Sequence, residues 1–186
     1  MSASLQFRAM SAVDLPMLSA WLTTPHVAAW WGEPEVELGY VRDMIEGRDT
    51  TRPYIFSVDG EAVGYIQCWF IGDHQNASWI ADHPWLAELP SDAVGVDLSI
   101  GDAGKLSRGI GSAALRAFAE RLVKQGHRCI IIDPDADNSR AVRAYEKAGF
   151  RAIPHLVGRT GDTLIMQYEL KDGDPHRACT PEMEGP

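Results

Sequence analysis

The stretch GVDLSIGDAGKLSRGIGSAALRAFAERL, from Gly95 to Leu122, decides the fold that this sequence predicts. Its beginning, up to Ile100, is strand-like, and a glycine-rich loop follows. The loop leads into a predicted helix at 110–123, whose apolar residues recur at the spacing of one buried face. A glycine-rich loop before a helix is typical of phosphate sites, because the first helical N–H groups point at the ligand.

A P-loop is the first interpretation of this loop, and the residues exclude it. Gly104 and Lys105 supply the glycine–lysine pair, but the motif needs serine or threonine directly after the lysine. Leu106 occupies that position, and Ser99 stands where an earlier glycine is required.

A dinucleotide-binding fingerprint is the second interpretation. Gly109, Gly111 and Ala114 fit G-x-G-x-x-A, and Asp133 follows about 20 residues later, as a ribose-binding acid would. That fingerprint should turn directly from strand to helix, whereas residues 101–108 separate the two here. This context argues against a dinucleotide enzyme, although the match of the fingerprint keeps it as a rival hypothesis.

A pyrophosphate site at the helix N-terminus is the third interpretation. Residues 108–112 would present successive backbone N–H groups, unhindered at the glycines, and the helix dipole adds partial positive charge. Lys105 or Arg108 would add a full charge. The predicted donors and cations are Lys105, Arg108, Gly109, Ile110, Gly111 and Ser112.

The rest of the chain predicts an α/β fold of the α+β kind, a mixed sheet with helices on its faces. Ser11 and Asp14 form a capping-box pattern, Gly64 is a possible β-bulge, and residues 74–90 look irregular. The predicted strands are 5–8, 54–58, 61–70, 94–100, 129–132, 153–157 and 163–170, and the predicted helices are 12–22, 37–46, 110–123 and 139–148. We expect a single domain over 1–170 and a flexible tail over 171–186.

Composition narrows the partners. The net charge of −9 argues against nucleic acid and permits a cationic small molecule. No apolar run approaches the ~20 residues of a membrane span, so we expect a cytoplasmic protein without a membrane partner. The cysteines at 68, 129 and 179 are odd in number and scattered, which argues against a disulfide or a metal site.

A second motif follows the glycine loop. The residues Asn138, Ala141, Tyr145, Gly149 and Phe150 match N-x-x-A-x-x-x-Y-x-x-x-G-F, and residues 106–111 match [QR]-x-x-G-x-[GA] except at the first position. In this order and spacing the two patterns resemble the signatures of the GNAT acetyltransferases, a family that uses acetyl-CoA. The resemblance implies a mostly antiparallel sheet, split between the strands near 94–100 and 128–133 to admit the cofactor.

Further stretches resemble one branch of that family. Residues 30–33, 53–55, 64–67, 95–97 and 133–134 are similar to the aminoglycoside 6′-N-acetyltransferases, and also to acyltransferases of siderophore-type amines. The resemblance implies acetyl-CoA as co-substrate and a cationic amine as acceptor. We expect a monomer or a homodimer.

Acetyl transfer to an amine needs a proton acceptor, a donor for the carbonyl oxygen and a proton for the leaving thiolate. We expect Asp97 to bind and deprotonate the amine and Tyr145 to act as general acid. The resemblance adds the backbone at Leu98, Ser99 and Ile100 as contacts for the thioester arm, with Asn138 and Ala141 as further cofactor contacts. The predicted acceptor pocket comprises Trp31, Tyr54, Asp97, Asp133 and Asp162. A CoA-binding sensor without activity is an alternative from another class.

Overall fold

A computed structural model describes Ser4 to Leu170 and also Cys179. The chain divides into two compact units: Met1–Cys68 with Asp97–Ala114, and Trp69–Val96 with Leu115–Pro186. The predicted tail at 171–186 lies outside the described residues, except for Cys179. Among the helices that the structure describes, none combines the length and apolarity of a membrane span.

The predicted α/β fold with a mostly antiparallel sheet is confirmed. Neighbouring strands follow the order β1-β2-β3-β4-β5-β7-β6, and β4 and β5 are parallel. That parallel ladder comprises only the pairs Val94–Ile130 and Gly95–Ile131, so most of β4 continues past it. The strands are β1 Leu5–Ala9, β2 Arg52–Val58, β3 Glu61–Phe70, β4 Val94–Ile100, β5 Ile130–Ile132, β6 Phe150–Ala152 and β7 Met166–Tyr168.

The predicted bulge lies next to Gly64. Phe56 pairs with Gly64 and Ser57 pairs with Ala62, so Val63 is an extra residue in β3. A Cβ on Gly64 would lie 2.4 Å from both the Phe56 ring and the Ser99 carbonyl oxygen. Because no real Cβ fits at that distance, the glycine allows β3 to pack this closely in the first unit.

The helices begin and end largely where their sequence signals lie. Helix α7 matches its prediction, with Asn138 as N-cap and Gly149 as left-handed C-cap (φ 105°). Pro34 starts α3 earlier than predicted, since proline is favoured in the first helical turn. The helices are α1 Leu15–Leu22, α2 Pro25–Ala28, α3 Pro34–Ile45, α4 Ile71–His74, α5 Ala77–Asp82, α6 Ile110–Lys124 and α7 Ser139–Ala148.

The first unit has a core between its early helices and the sheet. Leu18 and Leu22 of α1 and Val41 of α3 are buried in one cluster with Ile55 of β2 and Tyr65 of β3. The predicted capping box is present ahead of α1, where Asp14 accepts a hydrogen bond from the Ser11 backbone N–H at 2.9 Å. These helices therefore cover the face of the sheet that Tyr65 belongs to.

The buried Asp14 carboxylate makes an ion pair with the half-exposed Arg8, and we expect to measure its loss in acid. Arg8 donates to both carboxylate oxygens (2.6 and 2.8 Å), and Asp14 is only 5% exposed. Hydrogen bonds from Arg8 are the main cause that lowers the pKa of Asp14 from 3.8 to about 2. The carboxylate thus stabilises the fold above its unfolded pKa, and this contribution, about 2 kcal/mol, disappears as the pH falls from about 4 to below 2.

Urea unfolding across that pH range checks this prediction. We expect Asp14→Asn to remove about 2 kcal/mol of the acid-dependent loss in unfolding free energy. A variant with the same pH dependence as the wild type would contradict the assignment to Asp14.

The second unit departs from two predictions. Residues 74–90, expected to be irregular, form α5 and a short 3-10 helix over Pro84–Glu88. The strand predicted at 153–157 is wrong, because Pro154 starts a 3-10 helix and β6 lies earlier, at Phe150–Ala152. Proline lacks the N–H that a strand pair needs, which explains the shift.

A disulfide joins Cys129 to Cys179, which corrects the expectation that the cysteines stay unpaired. Cys129 immediately precedes β5, and both cysteines are buried in the core cluster of the second unit. The Cys179 N–H also donates to Gln167 Oε1 of β7 at 2.9 Å. Cys179 is therefore held to the second unit by both a covalent bond and a hydrogen bond.

Reduction of this bond should destabilise the protein. The bond closes a loop over a sequence separation of 50 residues, for which chain entropy predicts about 4 kcal/mol. Unfolding with and without dithiothreitol measures the difference. Cys129→Ser/Cys179→Ser should abolish the sensitivity, whereas Cys68→Ser, at the buried thiol, should keep it. Equal stability of the oxidised and reduced wild type would refute the prediction.

Candidate active site

The Asp97 side chain lies on β4 opposite Gln67 of β3. The Gly101 N–H donates to the Val63 carbonyl at 3.0 Å, which sets an antiparallel register between the two strands. In that register Gln67 faces Asp97, and Gln67 Nε2 donates to Asp97 Oδ2 at 2.8 Å. The predicted carboxylate is thus held by a polar side chain that the sequence analysis left without a role.

Aromatic rings adjoin this polar pair. The Tyr65 hydroxyl donates to Gln67 Oε1 at 2.5 Å, and the Trp31 ring meets the Tyr65 ring edge-on with centroids 5.7 Å apart. Trp31 packs against the core of the first unit, whereas Trp30 is 44% exposed. The structure therefore brings Trp31 together with Asp97 through Tyr65 and Gln67.

A second carboxylate, Glu37 of α3, belongs to the same cluster. Its pKa is raised by burial and by the negative charge of Asp97. Its carboxylate packs over Gly32, where a Cβ would lie 2.5 Å from Glu37 Oε1. Within the described part of the chain no salt bridge neutralises Glu37. Two neighbouring carboxylates beside a tryptophan suit a cationic ligand.

Tyr54 is not brought to this cluster. It pairs with Ile66 of β3, while Pro53 pairs with Gln67. Because successive strand residues point to opposite faces, the Tyr54 side chain lies on the other face from Gln67. Its prediction as an acceptor contact rests on the resemblance alone.

The β4 backbone presents its polar groups alternately to two sides. The bond from Gly101 to β3 implies that the N–H of Ser99 also faces β3, whereas those of Leu98 and Ile100 face away. The Ile100 carbonyl accepts a hydrogen bond from His26 Nε2 at 2.8 Å. Leu98 thus offers its backbone N–H on the side away from β3, and its contact with the thioester arm stays a prediction.

Ser99 differs from the expectation of a backbone contact. Its N–H is directed to β3, but its side-chain hydroxyl is buried, and no group among the described residues hydrogen-bonds to it. Ser99 is only 6% exposed, so water does not readily satisfy the hydroxyl. An orphaned buried polar atom on this strand is consistent with a site completed by a ligand.

The N-terminus of α6 has the open donors that a pyrophosphate requires. The first bond of the helix runs from the Ala113 N–H to the Gly109 carbonyl at 3.0 Å, so the N–H groups of Ile110, Gly111 and Ser112 have no acceptor within it. Gly109 has φ 78°, a conformation that favours glycine, and open space lies where its Cβ would be. The residues of this loop fit a phosphate ligand.

The two predicted cations of the loop differ. Lys105 Nζ pairs with Glu61 Oε1 at 2.5 Å, so its charge is already engaged. Arg108 is exposed, and no carboxylate of the described residues pairs with it. The preceding residue Ser107 has φ 58°, a strained value for a residue with a side chain. Arg108 is therefore the cation that remains available to an anion at this helix.

The remaining predicted residues belong to the second unit. Tyr145 is half-buried on α7. Asn138 Oδ1 accepts a hydrogen bond from the Ala141 N–H at 3.2 Å, so the Asn138 side-chain oxygen and the Ala141 N–H are both used in capping the helix. The Ala136 N–H donates to the Asp162 carbonyl at 2.7 Å, which brings the segments after Asp133 and around Asp162 side by side.

Over Ser4–Leu170 and Cys179, no group of three histidine, cysteine, aspartate or glutamate side chains has the geometry to hold an ion.

Comparison with known proteins identifies the family to which this chain is similar. A family model described as an acetyltransferase (GNAT) domain matches residues 11–157. Aminoglycoside N(6′)-acetyltransferase type 1 of Klebsiella pneumoniae is 33% identical over 171 residues, 88% of this chain and 82% of that protein. Lysine N-acyltransferase MbtK of Mycobacterium tuberculosis is 29% identical over 152 residues, 78% of this chain and 68% of that one.

Solved structures agree in fold. The structure of AAC(6′)-Ib in complex with paromomycin and acetyl-CoA matches with a TM-score of 0.75 and 28% identity. The match covers 94% of this chain and 98% of that chain.

Proposed function

Since this chain belongs to the GNAT acetyltransferase family, we propose that it transfers the acetyl group of acetyl-CoA to the 6′-amino group of an aminoglycoside. The observation that carries the acceptor class is the cluster of Asp97 and Glu37 beside Trp31. The similarity to aminoglycoside N(6′)-acetyltransferase type 1 supports the same choice.

Asp97 acts first, on the acceptor. An amine reaches the site as an ammonium ion at neutral pH and must lose a proton before it can attack. The Asp97 carboxylate binds the ammonium and takes the proton, directly or through water, while Gln67 holds one of its oxygens. Glu37 adds attraction for a polycation, and the Trp31 ring offers a surface for a sugar.

The loop and the edge of β4 act on the donor. Acetyl-CoA supplies the activated thioester when it is bound. The N–H groups of Ile110, Gly111 and Ser112, together with Arg108, hold the pyrophosphate. The Leu98 N–H donates to the carbonyl oxygen as negative charge develops there, or to an amide of the pantetheine arm.

Tyr145 completes the proposal as the general acid that protonates the departing thiolate. The support for this role is its place in the matched signature, on a helix with firm caps at both ends. We also propose that residues 1–170 act as one catalytic domain.

A matched pair of aminoglycosides tests the proposal. Neomycin carries an amine at the 6′ position and paromomycin carries a hydroxyl there, with the remaining structure shared. We expect thiol release from acetyl-CoA with neomycin and none above background with paromomycin. No thiol release with any aminoglycoside would overturn the proposed acceptor.

The similarity to MbtK favours a second candidate, an acyltransferase for a siderophore-type amine. N-hydroxylysine in the same assay separates the two: turnover with it, and none with neomycin, would select the second candidate. Thermal stabilisation by CoA without turnover would indicate a sensor, and stabilisation by NAD alone would indicate a dinucleotide enzyme.

A further inference from the structure

A buried chain of hydrogen bonds leads from the core of the first unit to Asp97. Tyr65 is fully buried (0% exposed), and its hydroxyl donates to Gln67 Oε1 at 2.5 Å. Gln67 Nε2 in turn donates to Asp97 Oδ2 at 2.8 Å. The other contact of the hydroxyl is Met44 Sδ at 3.9 Å, a weak acceptor.

The polarity of this chain follows from the chemistry of its ends. A carboxylate only accepts hydrogen bonds, so the Gln67 amide must turn its NH₂ group toward Asp97. Its carbonyl oxygen then faces Tyr65 and needs a donor, which the phenol supplies. With the amide turned over, Gln67 Oε1 would face the Asp97 carboxylate and the two oxygens would repel.

The phenol keeps its proton over the working pH range. Its pKa is raised well above 10.0, first by burial and then by the negative charges of Asp97 and Glu37. Tyr65 is therefore a permanent donor to Gln67, unlike a residue that titrates near neutrality.

We propose that Tyr65 is a positioning residue for acetyl transfer, whose hydroxyl donates to Gln67 Oε1 and so holds the amide in the orientation that the Asp97 carboxylate selects. This inference rests on the proposed role of Asp97 as the group that receives the proton of the acceptor amine. Tyr65 itself contacts neither substrate; its effect reaches the reaction through Gln67. A preorganised donor also spares Asp97 the search among side-chain rotamers at each turnover.

A double-mutant cycle tests the proposal. Tyr65→Phe keeps the ring that packs on Trp31 and removes only the hydroxyl, and we expect kcat to fall about tenfold with the KM for acetyl-CoA unchanged. Gln67→Leu should lower kcat at least as much. Adding Tyr65→Phe to Gln67→Leu should cause no further loss, because the phenol then has no amide to orient.

Met44→Leu is the matched control, since it changes the packing beside the same hydroxyl without touching Gln67, and it should keep wild-type kcat. Wild-type kcat in Tyr65→Phe, or losses that multiply in the double variant, would overturn the proposal. Loss of kcat in Met44→Leu equal to that in Tyr65→Phe would also overturn it, because packing would then explain both.

A readout without turnover separates this inference from the proposed function. In the wild type, the side-chain NH₂ of Gln67 should exchange with solvent slowly by NMR, and Tyr65→Phe should accelerate the exchange. Exchange of the Gln67 NH₂ at the rate of a free amide in the wild type would refute the proposed hydrogen-bond chain. Slow exchange in a protein that acetylates no aminoglycoside would support the hydrogen-bond chain and overturn only the proposed acceptor.

Discussion

Asp97→Asn should lower kcat for aminoglycoside acetylation by about 100-fold or more, the usual contribution of a positioned proton acceptor. The substitution keeps the shape of the side chain and its hydrogen bond with Gln67, which joins Gln67 Nε2 to Oδ2 at 2.8 Å. It removes the negative charge and the basicity. Steady-state kinetics with neomycin and acetyl-CoA at pH 6 to 9 provide the measurement.

The pH series separates proton transfer from binding. If Asp97 accepts the proton, the difference between variant and wild type should shrink as the pH rises, because more of the amine is already neutral. Asp92→Asn is the control: it removes an exposed carboxylate just before β4 and should keep kcat within twofold. A variant at Asp97 with normal kcat and a raised KM for neomycin would assign that residue to binding alone.

Tyr145→Phe should lower kcat by about tenfold to 100-fold while the KM for acetyl-CoA stays close to that of the wild type. In the proposed role the phenol would donate a proton only as the thiolate leaves, so its removal should act on the transition state rather than on binding. The effect is smaller than that of Asp97→Asn because a thiolate is a good leaving group even without a proton. Kinetics with neomycin at saturating acetyl-CoA measure it.

Glu146→Gln is the matched control for Tyr145→Phe. Glu146 is the exposed neighbour of Tyr145 on α7, so its substitution tests whether any change to the helix reduces activity. We expect wild-type kcat in that variant. A Tyr145→Phe enzyme within twofold of wild type would exclude the general-acid role.

Signals that are local in sequence predicted the fold well. Helix α7 begins after the N-cap Asn138 and ends before Gly149, as predicted, since a cap is decided by residues within one turn of the helix end. The glycine loop before α6 is likewise a local pattern. The strand expected at 153–157 was wrong because Pro154, which is itself a local signal, lacks the N–H that a strand pair needs and starts a 3-10 helix instead.

Contacts between residues that are distant in the sequence could not be predicted from it, because they depend on how the strands pair. Gln67 lies 30 residues from Asp97, and only the β3–β4 register makes them partners. The signal that was available is a polar residue within the otherwise apolar strand around Tyr65 and Cys68. Glu37 carries no such mark, because it is one charged residue among several on α3. The Cys129–Cys179 bond depends on the fold in the same way.

The proximity of the Asp97 and Glu37 carboxylates links recognition of a cationic acceptor to the stability of the protein. Burial is the larger cause that raises the pKa of Glu37, and the negative charge of Asp97 raises it further, because like charges in a half-buried site repel. At the proposed acceptor site a polycation would add positive charge beside both carboxylates, so we expect its binding to stabilise the first unit. We therefore expect this site to discriminate by charge before the chemical step: a neutral sugar of the same shape would leave the repulsion in place, and a cation would relieve it.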